Sequence, residues 1–181
     1  SGLYAAYTRY YSLNFSELDS ALADSRASMG TFTSGHYELV CQHFVPATYP
    51  PRKTAFILHG YFDHSGLYRH LIRHLLLQDI AVVIFDLPGH GLSSGETASI
   101  NSFQEYSESF VRCLKLAGQQ QLADPWLAIG QSTGAALIME ALLEERLQHS
   151  PALQDTILLA PLLRPRPQSR SRILFILSSF S

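Results

Sequence analysis

Trp126-Leu127-Ala128-Ile129-Gly130-Gln131-Ser132-Thr133-Gly134-Ala135-Ala136-Leu137 decides how the rest of the chain is read. Trp126 to Ile129 is a short unbroken apolar run, as in a strand buried on both faces. Gly134 to Leu147 has helical spacing, and its first half is apolar on every side, so that half is expected to be buried. Between them stands Gly-x-Ser-x-Gly. A serine on a sharp strand-to-helix bend has a strained backbone, and its neighbours two residues away must lack side chains. Such a bend lifts the hydroxyl above the sheet and aims the free amides of the following helix at developing negative charge.

The same rhythm extends outward. Thr54 to Leu58 and Ala81 to Phe85 read as further buried strands, and Thr156 to Ala160 as one more strand. Leu67 to Gln78 carries apolar residues at 67, 68, 71, 72, 75 and 76, a helical stripe. Ser102 to Ala117 is a second helix, with Ser102 and Glu105 spaced as a capping box. His36 to Val45 alternates in the manner of one or two strands, Pro46 to Arg52 is a proline-rich loop, and the first thirty residues read as a short helix and loop. Strands alternating with helices imply parallel pairing through right-handed crossovers. The expected fold class is α/β, a mostly parallel sheet sandwiched by helices, with ligands at the carboxyl ends of the strands.

Two other segments leave strand ends. His59-Gly60-Tyr61 follows the Thr54–Leu58 run. Acyl transfer to a serine builds an oxyanion that needs two preorganised donors. The amide of Thr133 is one candidate. The amide of Tyr61, following a glycine that permits close approach, is the other. His59 reads as a structural ring bonded within its loop. Asp86-Leu87-Pro88-Gly89-His90-Gly91-Leu92-Ser93 is a constrained turn, in which Asp86 and His90 are expected to satisfy loop backbone groups.

Taken in order, the three motifs resemble the α/β-hydrolase family, in its branch of monoglyceride lipases, lysophospholipases and serine aminopeptidase-like hydrolases. The resemblance rests on His59-Gly60-Tyr61-Phe62-Asp63-His64-Ser65-Gly66-Leu67-Tyr68, on Asp86 to Ser93, on Gly130 to Gly134 and on Leu158-Leu159-Ala160-Pro161, and spans roughly residues 36 to 172. Asp63 stands where the branch usually has Glu, and Leu67 where it often has Arg. The resemblance implies Ser132 as nucleophile and the Tyr61 and Thr133 amides as oxyanion hole. It also implies an acid and a histidine later in the chain, in the order Ser, Asp, His. After Ser132 the only Asp is Asp155 and the only His is His149. Both are expected at the far end of the sheet, in solvated loops.

Without a base, a serine hydroxyl is a weak nucleophile. Losing it lowers turnover on the order of a millionfold, leaving roughly 10³–10⁴ over water. These 181 residues alone are therefore expected to be near inert, as the first part of a longer serine esterase. Ser1 in place of Met and the apolar run Ile173 to Leu177 read as cut ends. The expected division is a lead-in at 1–33, a partial hydrolase core at 34–163 and the start of a cap at 164–181. The expected substrates are small acyl esters or lipids, a lysophospholipid or monoacylglycerol, cleaved through an acyl-enzyme. A peptidase or acyltransferase of the same fold is the alternative, or a non-catalytic scaffold if the reading frame stops at Ser181.

Composition removes other classes. The hydrophobic fraction of 46% suffices for one core, and charged residues at 15% are too few for a disordered tail. A net charge of -2 with no basic stripe argues against nucleic acid. No phosphate-binding glycine loop is present, and His64, His70 and His74 lack the carboxylate spacing of a metal site, so neither cofactor nor metal is expected. Arg164, Arg166, Arg170 and Arg172 form a basic cluster suited to a solvated loop or to anionic headgroups. Cys41 and Cys113 read as reduced thiols, favouring the cytoplasm with peripheral membrane contact as an option. Oligomeric state is left open.

Overall fold

The computed structural model describes residues 2–148, 150 and 152–162. Six strands form one sheet: β1 Arg26–Ser34, β2 Tyr37–Val45, β3 Lys53–Leu58, β4 Ile80–Phe85, β5 Trp126–Gln131 and β6 Leu153–Leu159, in the order β1-β2-β4-β3-β5-β6. β1 and β2 are an antiparallel hairpin and β2 is antiparallel to β4. β3 is parallel to both β4 and β5, and β5 to β6. The mostly parallel α/β sheet is thus present.

Alternation along the central strands divides the core. Ala55 and Ile57 face one side, Phe56 and Leu58 the other. On the first side lie α1 Gly2–Tyr10, α2 Phe15–Leu18 and α3 Arg69–Leu76, contributing Tyr7, Phe15, Ile72, Leu75 and Leu76. On the second lie α4 Phe103–Gln119 and α5 Thr133–Leu143, contributing Tyr106, Phe110, Leu114, Leu137 and Ile138. α5 is buried continuously from Thr133 to Ile138, the all-round apolar half expected of it.

Several elements differ from the sequence reading. The first thirty residues hold a strand as well as helix and loop. β1 is mostly exposed and rich in Ser, Thr and Gly, and only pairing with β2 across the Gly35 turn makes it a strand. Leu67 lies not in the helical stripe but in a 3₁₀ turn, Ser65–Tyr68, and is 53% exposed. The capping box is half formed. Ser102 accepts from the Gln104 amide at 3.3 Å, while the Glu105 carboxylate accepts from the Tyr37 hydroxyl at 2.9 Å. Asp155 is within β6, not in a loop. It pairs with Lys53 at 3.7 Å, where β3 begins, opposite the end that carries Ser132. His149, the arginine cluster and the expected cap start at 164–181 lie outside the described residues. No described helix is long and apolar enough to cross a membrane.

Candidate functional site

Ser132 sits at the bend between β5 and α5 with φ 51° and ψ −109°. A left-handed backbone at a non-glycine residue costs about 1–3 kcal/mol and persists only where its surroundings impose it. Here they do. The Ser132 amide donates to the Leu159 carbonyl at 2.8 Å, and its carbonyl accepts from the amides of Ala136 at 3.0 Å and Leu162 at 3.1 Å. The bend is thus clamped to the end of β6. The flanking glycines are sterically required. A Cβ on Gly130 would lie 2.6 Å from the Ala135 nitrogen, and one on Gly134 2.0 Å from the Leu58 carbonyl oxygen. Although serine is a favoured helix cap, this hydroxyl makes no capping bond. It is half-buried and remains free for other chemistry.

The loop leaving β3 meets this bend. A Cβ on Gly60 would stand 3.6 Å from the Ser132 Cβ. The structure therefore brings together the two segments singled out in the sequence, the Gly60–Tyr61 loop and the Ser132–Thr133 turn. Thr133 is the first residue of α5, so its amide is among those a helix leaves unpaired. The Tyr61 and Thr133 amides have no acceptor among the described residues. The Tyr61 hydroxyl donates to the Ala98 carbonyl.

His59 is fully buried. Its Nε2 accepts from the Leu87 amide at 2.9 Å, so the proton is on Nδ1 and is donated to the Gly60 carbonyl at 2.8 Å. Burial drives its pKa down to about 4, outweighing the Gly60 carbonyl and the negative charges of Asp86 and Asp63. It is a neutral strut between two loops. The Asp86 carboxylate, also fully buried, accepts from the Ser65 amide at 2.7 Å and the Leu92 amide at 2.8 Å. His90 donates through Nδ1 to the Pro88 carbonyl at 2.8 Å, and its ring lies 5.5 Å from that of Tyr61. Asp86 and His90 thus serve loop backbone groups, as the sequence reading expected.

Two tyrosines escaped the sequence reading. The Tyr7 hydroxyl on α1 accepts from the Gly66 amide at 2.9 Å and meets Ser65 Oγ at 2.9 Å and His64 Nδ1 at 3.1 Å. Burial, reinforced by Asp86, raises its pKa to about 12. The Tyr68 oxygen accepts from the Gly60 amide at 3.2 Å and lies 2.6 Å from Gln131 Oε1. Nothing local marks Tyr7, whose partners lie more than fifty residues on, and Tyr68 reads only as part of an apolar stripe and of the His59–Tyr68 motif, since its bond to Gln131 joins distant parts of the chain. His70 Nε2 accepts from Arg69 at 3.1 Å. Among the described residues no three potential ligands gather as for a metal ion.

Apolar surface surrounds the bend. Phe62 is 76% exposed, and Leu159 and Leu162 about half. A cavity of about 300 Å³ that reaches Gln131, the residue before Ser132, is walled by Leu67, Leu71, Ile129 and Leu159, with Asp63, Tyr68, His70 and Gln131 as polar members.

The family model described as serine aminopeptidase, S33, matches residues 49–180. The chain is similar to the human monoglyceride lipase, 31% identical over 136 residues, covering 75% of this chain and 43% of that protein. It is also similar to the rat monoglyceride lipase, 29% identical over 139 residues, with 77% and 44% covered. It therefore spans less than half the length of these relatives. Among solved structures it resembles the ferulic acid complex of Est1E from Butyrivibrio proteoclasticus, with a TM-score of 0.63 at 21% identity, covering 73% of this chain and 52% of that one. A matched model over most of the chain, a bend and loop in the matching geometry and this fold lead to one assignment: the chain belongs to the serine aminopeptidase S33 family of α/β-hydrolases.

Proposed function

We propose that the whole protein is a serine hydrolase that cleaves esters of long-chain acyl lipids, a monoacylglycerol or lysophospholipid, through an acyl-enzyme. The observation that carries this is Ser132 held at φ 51° with its hydroxyl free of the helix and the Gly60–Tyr61 loop against it. Ser132 Oγ attacks the ester carbonyl, and its proton passes to a histidine oriented by an acid, both contributed from outside the described residues. The carbonyl oxygen becomes an oxyanion held by the Tyr61 and Thr133 amides. Collapse expels the alcohol, which takes the proton. Water then releases the fatty acid and restores the serine. Exposed Phe62, Leu159 and Leu162 and the apolar cavity suit a long acyl chain, and the curated relatives named monoglyceride lipases favour a lipid ester. The same reading takes residues 1–33 as a lead-in, 34–163 as the hydrolase core and 164–181 as the start of a cap.

The test is labelling of the whole protein with a fluorophosphonate, followed by turnover of monoacylglycerols, lysophospholipids and aminoacyl-anilides. Labelling abolished by Ser132→Ala and turnover of the lipid esters are expected. Labelling that survives Ser132→Ala overturns the assignment of the nucleophile. Turnover confined to the anilides points instead to the peptidase suggested by the family's description.

A further inference from the structure

Tyr68 closes the 3₁₀ turn Ser65–Tyr68. Its phenol oxygen touches three groups on two segments, the loop after β3 and the end of β5. It accepts from the Gly60 amide at 3.2 Å, lies 2.6 Å from Gln131 Oε1 and 3.2 Å from Asp63 Oδ2. A phenol has one proton and two lone pairs. The amide occupies a lone pair, and the proton goes to Gln131, the nearer acceptor, with Asp63 as the longer alternative. Gly60 directly precedes Tyr61, and Gln131 directly precedes Ser132. One oxygen therefore ties the residue before the proposed oxyanion donor to the residue before the proposed nucleophile.

We propose that Tyr68 is a positioning residue, which sets the gap between the Tyr61 amide and Ser132. The inference rests on the reading of Ser132 and Tyr61 given above. Preorganised donors act only where the developing charge will be, and displacement by about 1 Å is enough to lower rates substantially. The Gly60 backbone is free to approach the bend, since it carries no Cβ to meet Asp63 Oδ2, which would stand at 3.0 Å. That leaves the approach to be fixed by hydrogen bonding, and Tyr68 is the group that bonds to both sides. Burial, with the Asp63 carboxylate beside it, raises the phenol's pKa. The proton therefore stays on the oxygen across neutral pH and the tie is not titrated away.

The test uses the whole protein with a soluble p-nitrophenyl ester. Tyr68→Phe keeps the ring and removes the tie. Its kcat is expected to fall by about tenfold or more, a part of the 10²–10³ lost when an oxyanion donor is removed outright. KM should stay within about twofold, and the fluorophosphonate labelling rate and the affinity for a tetrahedral mimic such as a boronic acid should fall with kcat. Gln131→Met removes the partner on the other side. The double variant should lose no more than Tyr68→Phe alone, because both changes break one tie. A Tyr68→Phe protein with unchanged kcat, or single losses that simply multiply in the double variant, overturns the proposal. So does a fall in kcat with no fall in affinity for the tetrahedral mimic, which marks a structural effect. Ser132→Ala run in parallel separates the two readings. If it remains active, the assignment of the nucleophile fails; if it is inactive while Tyr68→Phe is fully active, only the role of Tyr68 fails.

Discussion

The carboxylate of Asp86 and the α-carbon of Gly91 are packed so closely that a Cβ on Gly91 would lie 2.2 Å from Oδ2. The contact lets one buried acid reach the amides of both Ser65 and Leu92. Gly91 also has φ 52°, a conformation that L-residues with a side chain adopt at a cost. Gly91→Ala is expected to displace the carboxylate and lower the unfolding free energy by about 2–4 kcal/mol, combining backbone strain with buried amides that lose their acceptor. Urea titration measures this. A loss under about 1 kcal/mol would mean that the turn relaxes around the methyl group.

A methyl group at Gly134 meets a carbonyl rather than a side chain, with Leu58 oxygen only 2.0 Å away. Backbone of β3 cannot swing aside as a side chain does. Gly134→Ala is therefore expected to reduce fluorophosphonate labelling of Ser132 by about a hundredfold or to prevent folding. Labelling and circular dichroism of the whole protein distinguish the two outcomes, and full labelling of a folded Gly134→Ala protein contradicts the steric account of the bend.

His59 predicts a particular dependence of stability on pH. The unfolded chain protonates this side chain near pH 6.5, whereas the native state refuses the proton until about pH 4. Its contribution is fully present above pH 6.5, is lost as pH falls from about 6.5 to about 4 and is constant below. The loss is about 3 kcal/mol by linkage. His43, also lowered by burial, acts in the same direction. Urea midpoints at pH 7.0, 5.5 and 4.5 should fall more steeply for the wild-type chain than for His59→Gln, which can still donate to Gly60 and accept from Leu87. Equal slopes would show that His59 is protonated in the native state.

The two thiols should differ in reactivity. Cys113 is buried, and its pKa is raised well above the usual range, first by the hydrogen bond with the Cys41 sulfur and then by burial. Both thiols line a cavity of about 450 Å³ between β1, β2 and α4, but Cys41 is half-buried where Cys113 is buried. Iodoacetamide on the native protein at pH 7.5 should modify Cys41 at least about tenfold faster than Cys113, since alkylation follows exposure and thiolate content. Peptide mass spectrometry reads the ratio.

The central strands were legible because they are buried on both faces. Ala81-Val82-Val83-Ile84-Phe85 and Ala55-Phe56-Ile57-Leu58 state their environment in composition alone. β1 was not, because an exposed edge strand of Arg, Ser, Gly and Thr has no apolar period of its own. What makes it extended is the partner strand across Gly35. The bend at Ser132 was legible for another reason. Its steric demand falls on Gly130 and Gly134, and sequence records missing side chains directly. The long-range tyrosine bonds were hidden because their partners are distant in the chain. Tyr7 meets His64 fifty-seven residues on, and Tyr68 meets Gln131 sixty-three residues on. The Ser102–Glu105 box was read too locally, since Tyr37 competes for the Glu105 carboxylate from across the core.

The paired bonds between Ser132 and the end of β6 have an evolutionary consequence. Leu162 is moored by its own amide to the carbonyl of Ser132, so the last described residue is held against the bend. An insertion at that point would have to preserve both bonds or release the bend, because the steric lock at Gly130 and Gly134 leaves the turn no other conformation to take up.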